Sequence, residues 1–123
     1  MRIWRTLLTT LAGLCLAVSA SAHHAAAANY DTDNIGMIEG VVVDVFWANP
    51  HVHYYLEVES DVGGTELWDV ETSNLAGMMR SGWTRETVKI GDRIRISGQL
   101  GRNGIKRLAL DRGSLEKLQE IAE

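Results

Sequence analysis

The sequence predicts a small all-β domain, a five-stranded OB-like Greek-key barrel with little helix. Five segments rich in β-branched and aromatic residues follow one another, separated by turns rich in glycine, asparagine and aspartate. One short helical segment lies between the third and fourth strands, where an OB-fold carries its helix. A second helical segment follows the last strand. An SH3-like barrel, or a meander with helices packed on one face, would also accommodate these strands.

Each strand is predicted from its own pattern and from the turn that ends it. The first contains Gly36 and Gly40, which permit the bending that a barrel strand needs. Asn49-Pro50 ends this strand with a turn. Asn103-Gly104 is a strong signal for a tight hairpin before the last strand. The predicted strands cover residues 35–47, 51–59, 66–72, 93–98 and 105–110.

Two helices are predicted from capping residues and apolar spacing. Ser73 or Asn74 would cap the first helix, and Gly82 would end it. Ser114 would cap a C-terminal amphipathic helix. The apolar sides of the two helices would carry Leu75, Met78 and Met79 in the first, and Leu115, Leu118 and Ile121 in the second.

The first 22 residues have the pattern of a secretory signal peptide. Arg2 and Arg5 form a positive start, an apolar run follows, and Ser19–Ala22 supplies small residues for cleavage. The apolar run is too short to span a bilayer comfortably. We therefore expect an exported, periplasmic protein without a stable membrane anchor. The predicted organisation is a signal peptide over 1–22, an N-terminal arm over 23–34, and the barrel domain with its C-terminal helix over 35–123.

Cysteine usage and charge limit the possible classes of protein. The single cysteine, Cys15, lies within the predicted signal peptide, so the mature chain would contain no disulfide. Residues 23–79 contain ten acidic side chains and no lysine or arginine, whereas residues 80–123 contain ten basic and six acidic side chains. We expect the two halves to pair. The mature chain would be net acidic, which disfavours binding to nucleic acid, because phosphates require a positive surface.

Several short motifs occur in a fixed order along the chain. They are Ala22–His24 (AHH), Gly40–His51 (GVVVDVFWANPH), Trp68–Glu71 (WDVE), Met79–Thr84 (MRSGWT) and Gly91–Gly98 (GDRIRISG). This series resembles a bacterial family of exported proteins known as domain of unknown function 6152. The resemblance covers nearly the whole mature chain before the C-terminal helix. It implies a small periplasmic barrel of OB-like type, and it implies no activity or catalytic residues.

His51 and His53 are the first candidate ligands for a metal ion. Residues two apart in a strand project from the same face, so both imidazoles can approach one ion. Imidazole suits copper, zinc and nickel, and copper generally binds most tightly among the divalent ions. Glu57 continues this face and could supply an oxygen ligand or a hydrogen-bond acceptor. The alternative is a solvated strand face on which His51 helps to fix the turn after Pro50.

His23 and His24 are the second candidate pair. Cleavage after Ala22 would leave His23 with a free amine beside its ring, and the amine and ring nitrogens could chelate copper together. Such a site is similar to the histidine brace of certain copper proteins. Cleavage within Ala25–Ala28 would instead remove both histidines. The hypothesis is one metal site, with copper first and zinc second, formed by His23, His24, His51 and His53.

Trp47 and Tyr55 are the aromatic residues predicted to be exposed. OB-type barrels often bind ligands on their sheet face. Trp68 and Tyr54 fall on the apolar side of their strands and are expected in the core. With Glu57, Trp47 and Tyr55 are therefore the candidate contacts for a periplasmic protein partner or a small ligand.

The sequence favours a binding protein over an enzyme. It contains no nucleophile motif, phosphate-binding glycine loop or cysteine pair. The leading interpretation is a periplasmic binding or accessory protein that binds copper or a related metal through paired histidines. The alternative is a metal-free OB-like module that binds a protein or small ligand, as an accessory subunit of a periplasmic complex.

Overall fold

The computed structural model describes residues 28–118, so the predicted signal peptide and the His23–His24 pair lie outside the described residues. Two short 3₁₀ turns, Arg102–Gly104 and Arg112–Ser114, flank the fifth strand. No helix in the described part of the chain is long and apolar enough to cross a membrane. The elements, in order, are β1 Tyr30–Phe46, β2 His53–Glu59, β3 Thr65–Glu71, α1 Leu75–Arg80, β4 Arg93–Gly101, β5 Arg107–Leu110 and β6 Glu116–Leu118.

The first five strands form a closed barrel, which confirms the predicted OB-like fold. The strand order is β1-β2-β3-β5-β4, and β1 also pairs with β4 to close the ring. All these pairs are antiparallel except β3 and β5, which are parallel. The helix α1 lies between β3 and β4 in the chain, as predicted.

The strand β1 is longer than predicted because it pairs with two strands, β4 and β2, where the barrel closes. Its N-terminal part pairs with β4 from Tyr30 onward, and its C-terminal part pairs with β2 as far as Phe46. Residues 30–34, predicted as the end of the arm, therefore already belong to the strand. Gly40 lies where the two partners meet, and a Cβ atom there would lie 2.4 Å from the backbone oxygen of Glu57. Only glycine permits this close approach.

A β-bulge in β1 reverses which side chains face the core. Val42 pairs with Leu56 and Asp44 pairs with Tyr55, so Val43 is the extra residue. Before the bulge the even-numbered Val42 is buried in the core, whereas after the bulge the odd-numbered Val45 packs against it.

The barrel interior contains the side chains that the alternation of β2 predicts. Val52, Tyr54 and Leu56 are almost completely buried. Trp68 and Trp83 also pack in or against the core, as expected for large aromatic residues. The remaining buried members of the core are Ile38, Val42, Val70, Met78, Val88, Ile94, Ile96 and Leu108.

The helix α1 follows the capping prediction, but one of its apolar residues faces outward. The side chain of Asn74 accepts a hydrogen bond from the backbone N–H of Gly77, so Asn74 is the N-cap. Met78 is fully buried, whereas Met79 is 61% exposed, contrary to the prediction that both face the core. Gly82 follows the helix with a φ of 81°, a left-handed conformation that favours glycine.

The predicted C-terminal helix is wrong for residues 115–118. Ser114 does not cap a helix; its hydroxyl donates to the backbone oxygens of Asp111 and Ser97, and it accepts from the Ser97 N–H. These bonds tie the chain to β4. Glu116–Leu118 then pairs with β4 as the sixth strand. Hydrogen bonding to β4 is therefore favoured over the helix that the apolar spacing predicts. Residues 119–123 lie outside the described part.

The acidic and basic halves of the chain pair as expected, mainly across neighbouring strands. Arg93 and Arg95 of β4 both contact Glu39 of β1, at 2.8 and 3.0 Å. Lys106 contacts Glu66 at 3.0 Å. Hydrogen bonds from Arg93 and Arg95 hold the pKa of Glu39 below its ordinary value of 4.5. Glu39 therefore stabilises the fold above that pH, and its contribution is lost as the pH falls.

We expect Glu39→Gln to lower the free energy of unfolding at pH 7 and to lower it less at pH 3. The contribution of the charged carboxylate is lost progressively as the pH falls below 4.5 toward the lowered pKa of folded Glu39, so wild type and variant become more alike in acid. Urea unfolding at both pH values measures this difference. Glu86→Gln is the control, since Glu86 has no ion pair among the described residues. An equal effect of Glu39→Gln at both pH values would contradict the assignment.

We expect Tyr54→Phe to leave stability unchanged or to raise it. The Tyr54 hydroxyl is buried and has no hydrogen-bond partner among the described residues, and burial raises the pKa of Tyr54 to about 12. Removing an unsatisfied buried hydroxyl relieves a desolvation cost of about 1–3 kcal/mol. Thermal and urea unfolding measure the change. A loss of stability would show that the hydroxyl has a partner, such as a buried water.

Candidate functional site

The hairpin of β2 and β3 presents histidines opposite carboxylates on its outward face. In the antiparallel register His53 pairs with Glu71, and Tyr55 pairs with Asp69. The backbone pairing continues past the strand ends, because Val52 exchanges hydrogen bonds with residues 72 and 73. His51, which precedes β2, is therefore also held beside the end of β3.

Each imidazole on this face contacts a carboxylate through the same ring nitrogen. Nδ1 of His51 lies 2.5 Å from Oε1 of Glu71, and Nδ1 of His53 lies 2.6 Å from Oδ1 of Asp69. The His51 side chain is 49% exposed and that of His53 is 18% exposed. Both rings are thus oriented by a carboxylate while remaining accessible from solvent to different degrees.

The second oxygen of each carboxylate also has a partner. Oδ2 of Asp69 accepts from Arg107, whose Nε and Nη2 atoms lie 3.1 and 3.0 Å away. Oε2 of Glu71 accepts a hydrogen bond from the Tyr30 hydroxyl, and Nη2 of Arg107 lies 3.8 Å from it. The Arg107 guanidinium also lies over the Tyr30 ring, 5.9 Å from its centre. We call Tyr30, His51, His53, Asp69, Glu71 and Arg107 the histidine–carboxylate cluster.

The charge state of Glu71 determines which nitrogen of His51 carries the proton. Partial burial works to raise the pKa of Glu71, but hydrogen bonds from Tyr30 and His51 outweigh it, and the pKa lies below its ordinary value. Glu71 is therefore ionised at neutral pH and only accepts hydrogen bonds. Burial, and then the bond to Glu71, raises the pKa of Tyr30, so the tyrosine keeps its proton.

An ionised partner fixes the tautomer of a neutral imidazole. Nδ1 of His51 must donate to Glu71, and Nδ1 of His53 donates to Asp69 in the same way. The lone pair then lies on Nε2 of each ring. Among residues 28–118, Nε2 of neither histidine has a protein partner.

The described residues supply two histidines for a metal ion but no third ligand. Within residues 28–118, no three histidine, cysteine, aspartate or glutamate side chains are placed to hold one ion together. Glu57, predicted to assist the histidines, lies further along β2 opposite Leu67. It lines a separate depression with Glu59 and Asp61.

The exposed aromatic and apolar side chains of this face lie beside the cluster. Phe46 is 46% exposed and Leu67 is 59% exposed, with Tyr55 between them. The His53 ring stacks on Tyr55 at 6.2 Å and meets Phe46 edge-on at 6.3 Å. Trp47, predicted as an exposed contact, instead packs against the core. We call Phe46, Tyr55 and Leu67 the apolar patch.

Sequence reasoning found the two histidines but missed most of their partners. The hairpin register could have identified Asp69 and Glu71, since the five residues of the loop, 60–64, fix which residues of β2 and β3 pair. Arg107 becomes a neighbour only through the parallel pairing of β3 with β5. Tyr30 reaches Glu71 through the extension of β1, for which the local sequence gives no signal.

The barrel and its outward β2–β3 face define an OB-fold protein, a class that commonly binds ligands on this face. The chain belongs to the family of unknown function DUF6152, whose model matches residues 12–111. This confirms the resemblance in the sequence. No curated protein sequence matches the chain.

The fold is also similar to that of a solved DNA-binding protein. The crystal structure of the mitochondrial single-stranded DNA-binding protein Rim1 of S. cerevisiae matches with a TM-score of 0.51. The match covers 70% of this chain and 94% of that chain, at 12% sequence identity. At this identity the likeness concerns the fold alone.

We expect Tyr30→Phe to destabilise the fold by about 1.5–3 kcal/mol, because it removes a hydrogen bond to an ionised carboxylate. Urea unfolding at pH 7 measures the loss. Tyr55→Phe is the matched control, since the Tyr55 hydroxyl has no hydrogen bond among the described residues. Equal effects of the two substitutions would contradict a specific role for the Tyr30 hydroxyl.

Proposed function

We propose that this protein is an exported, periplasmic binding protein that binds copper or a related transition metal through paired histidines. The observation that carries the proposal is the orientation of His51 and His53 by carboxylates at Nδ1. Histidines that bind metals through one nitrogen usually donate a hydrogen bond from the other to a carboxylate or carbonyl. Here each ring already has this second contact and keeps Nε2 for a ligand.

The nitrogen donors favour copper, followed by zinc. Imidazole suits both ions, and the stability order of divalent metals places copper above zinc. The side chains of Asp69 and Glu71 are engaged with the histidines and with Arg107 or Tyr30. They therefore support the ligands rather than bind the metal themselves.

The N-terminal arm is the proposed source of further ligands, since the described residues offer only two. Tyr30 ties the start of the described chain to Glu71, the carboxylate that also holds His51. Only five residues lie between His24 and Tyr30, so the distance between the two Cα atoms is at most about 20–22 Å when the chain is extended. This length would allow His23 and His24 to reach the other pair, provided that cleavage occurs after Ala22. The signal-like pattern of residues 1–22 supports export.

Nucleic acid is a poorer candidate ligand for this face. Rim1 is described as a single-stranded DNA-binding protein. In this chain the outward β2–β3 face contains Glu57, Asp69 and Glu71, and the neighbouring basic residue, Arg107, is already paired with Asp69. Phosphates would meet repulsion there rather than the positive groove that single strands require.

We expect the mature protein beginning at His23 to bind one copper(II) ion per chain. His51→Ala with His53→Ala should abolish specific binding, and deleting His23 and His24 should weaken it, because each change removes nitrogen ligands. Asp69→Asn should weaken binding by about 10–100-fold through loss of ring orientation. Isothermal titration measures affinity, and electron paramagnetic resonance of the copper complex reports the number of nitrogen ligands.

Glu86→Gln is the control for this experiment, since Glu86 is an exposed carboxylate outside the cluster. It should leave the copper affinity unchanged. The intact mass of the exported protein establishes separately whether the chain begins at His23. Copper binding that persists in the His51→Ala, His53→Ala variant would refute the proposed site. A mature chain beginning after residue 24 would refute the contribution of the N-terminal pair.

A further inference from the structure

The apolar patch is arranged as a diagonal row across three strands. Phe46 lies on β1, Tyr55 on β2 and Leu67 on β3, and each is offset by two residues from the direct partner of the next. Phe46 and Tyr55 line one shallow depression with Leu67, together with residues 43–45. Regular strands rather than loops hold these side chains, so the row is a fixed feature of the barrel surface.

A carboxylate accompanies each apolar residue of the row on the same strand. Asp44 lies two residues before Phe46, Glu57 two residues after Tyr55, and Asp69 two residues after Leu67. Side chains two apart in a regular strand share a face, and the bulge at Val43 lies outside all three intervals. The patch therefore alternates apolar and acidic groups on all three strands.

Two of these three carboxylates have no cationic partner in the described part of the chain. Asp69 is paired with Arg107. Asp44 accepts only the backbone N–H of Val45, and neither Asp44 nor Glu57 forms an ion pair within residues 28–118. The negative charge at the border of the patch is thus available to a ligand.

We propose that the apolar patch, with Asp44 and Glu57 at its border, is a docking surface for an extended segment of a partner polypeptide that presents apolar and basic side chains on the same face. Same-side residues of an extended segment are about 6.6 Å apart, close to the diagonal spacing of about 7–8 Å between neighbouring strands. Apolar side chains of such a segment would meet the row, and its lysines or arginines would meet Asp44 and Glu57.

The shape and charge of the patch favour a polypeptide segment over a small molecule or a nucleic acid strand. The depression is shallow and lies open on the sheet, so it would leave most of a small molecule exposed, whereas ligand pockets usually bury most of their ligand. A nucleic acid strand would place phosphates beside unpaired carboxylates. A basic, apolar polypeptide segment matches both the apolar row and its charge.

The test is a titration with an amidated heptapeptide that carries lysine at positions 1 and 7, tryptophan at positions 3 and 5, and serine between them, followed by ¹H–¹⁵N correlation spectra of the protein. EDTA is present throughout, so the result does not depend on metal binding by the histidines. We expect saturable shifts concentrated at residues 44–46, 55–57 and 67–69. Peptides with glutamate in place of both lysines, or with serine in place of both tryptophans, should bind more weakly.

Matched variants identify the surface. Leu67→Ser should weaken peptide binding by about fivefold or more, whereas Met79→Ser, at a similarly exposed apolar residue on α1, should have no effect. Asp44→Asn with Glu57→Gln should weaken binding and reduce its dependence on salt, because the charges at the border are lost.

Four outcomes would overturn the proposal. The first is the absence of saturable binding, and the second is binding of the acidic peptide with equal affinity. The third is a preference for oligothymidylate over the basic peptide, and the fourth is a set of shifts that maps away from the patch. Since the copper titration of the metal-free mature protein tests the histidines separately, failure of either proposal leaves the other intact.

Discussion

The long strand β1 is the constraint on which the rest of the barrel depends. It pairs with β4 along its first part and with β2 along its last part, so a single strand closes the ring. The same strand also shapes the outward face. Its first residue, Tyr30, contacts Glu71, and its bulge at Val43 turns Phe46 toward solvent. The histidine–carboxylate cluster and the apolar patch therefore both depend on the path of β1.

The cluster and the patch meet at His53. Its Nδ1 contacts Asp69, while its ring stacks on Tyr55 and meets the edge of Phe46. A ligand bound at Nε2 of His53 and a polypeptide on the patch would thus share one side chain. Metal binding at His53 would therefore change the surface that the apolar patch presents to a polypeptide. OB-folds commonly use this face for binding.

The sequence predicts the alternation of β2, the helix position and the histidine pair, because each depends on local spacing. The sequence-based prediction is wrong where the structure depends on pairing between segments that are distant in the chain. The bulge at Val43 changes which of Phe46 and Trp47 is exposed, and no local signal marks it. The helical spacing after Ser114 gives way to pairing with β4. Tyr30 and Arg107 join the cluster only through strand pairings that span much of the chain.

The most direct measurement is the state of each imidazole nitrogen, by long-range ¹H–¹⁵N spectra of the mature protein with and without zinc. Zinc is diamagnetic and uses the same imidazole donors as copper. We expect Nδ1 of His51 and of His53 to carry the proton in both states, and zinc to shift the Nε2 signals of both rings. Unchanged Nε2 signals, or metal at Nδ1 with loss of the contacts to Glu71 and Asp69, would contradict it.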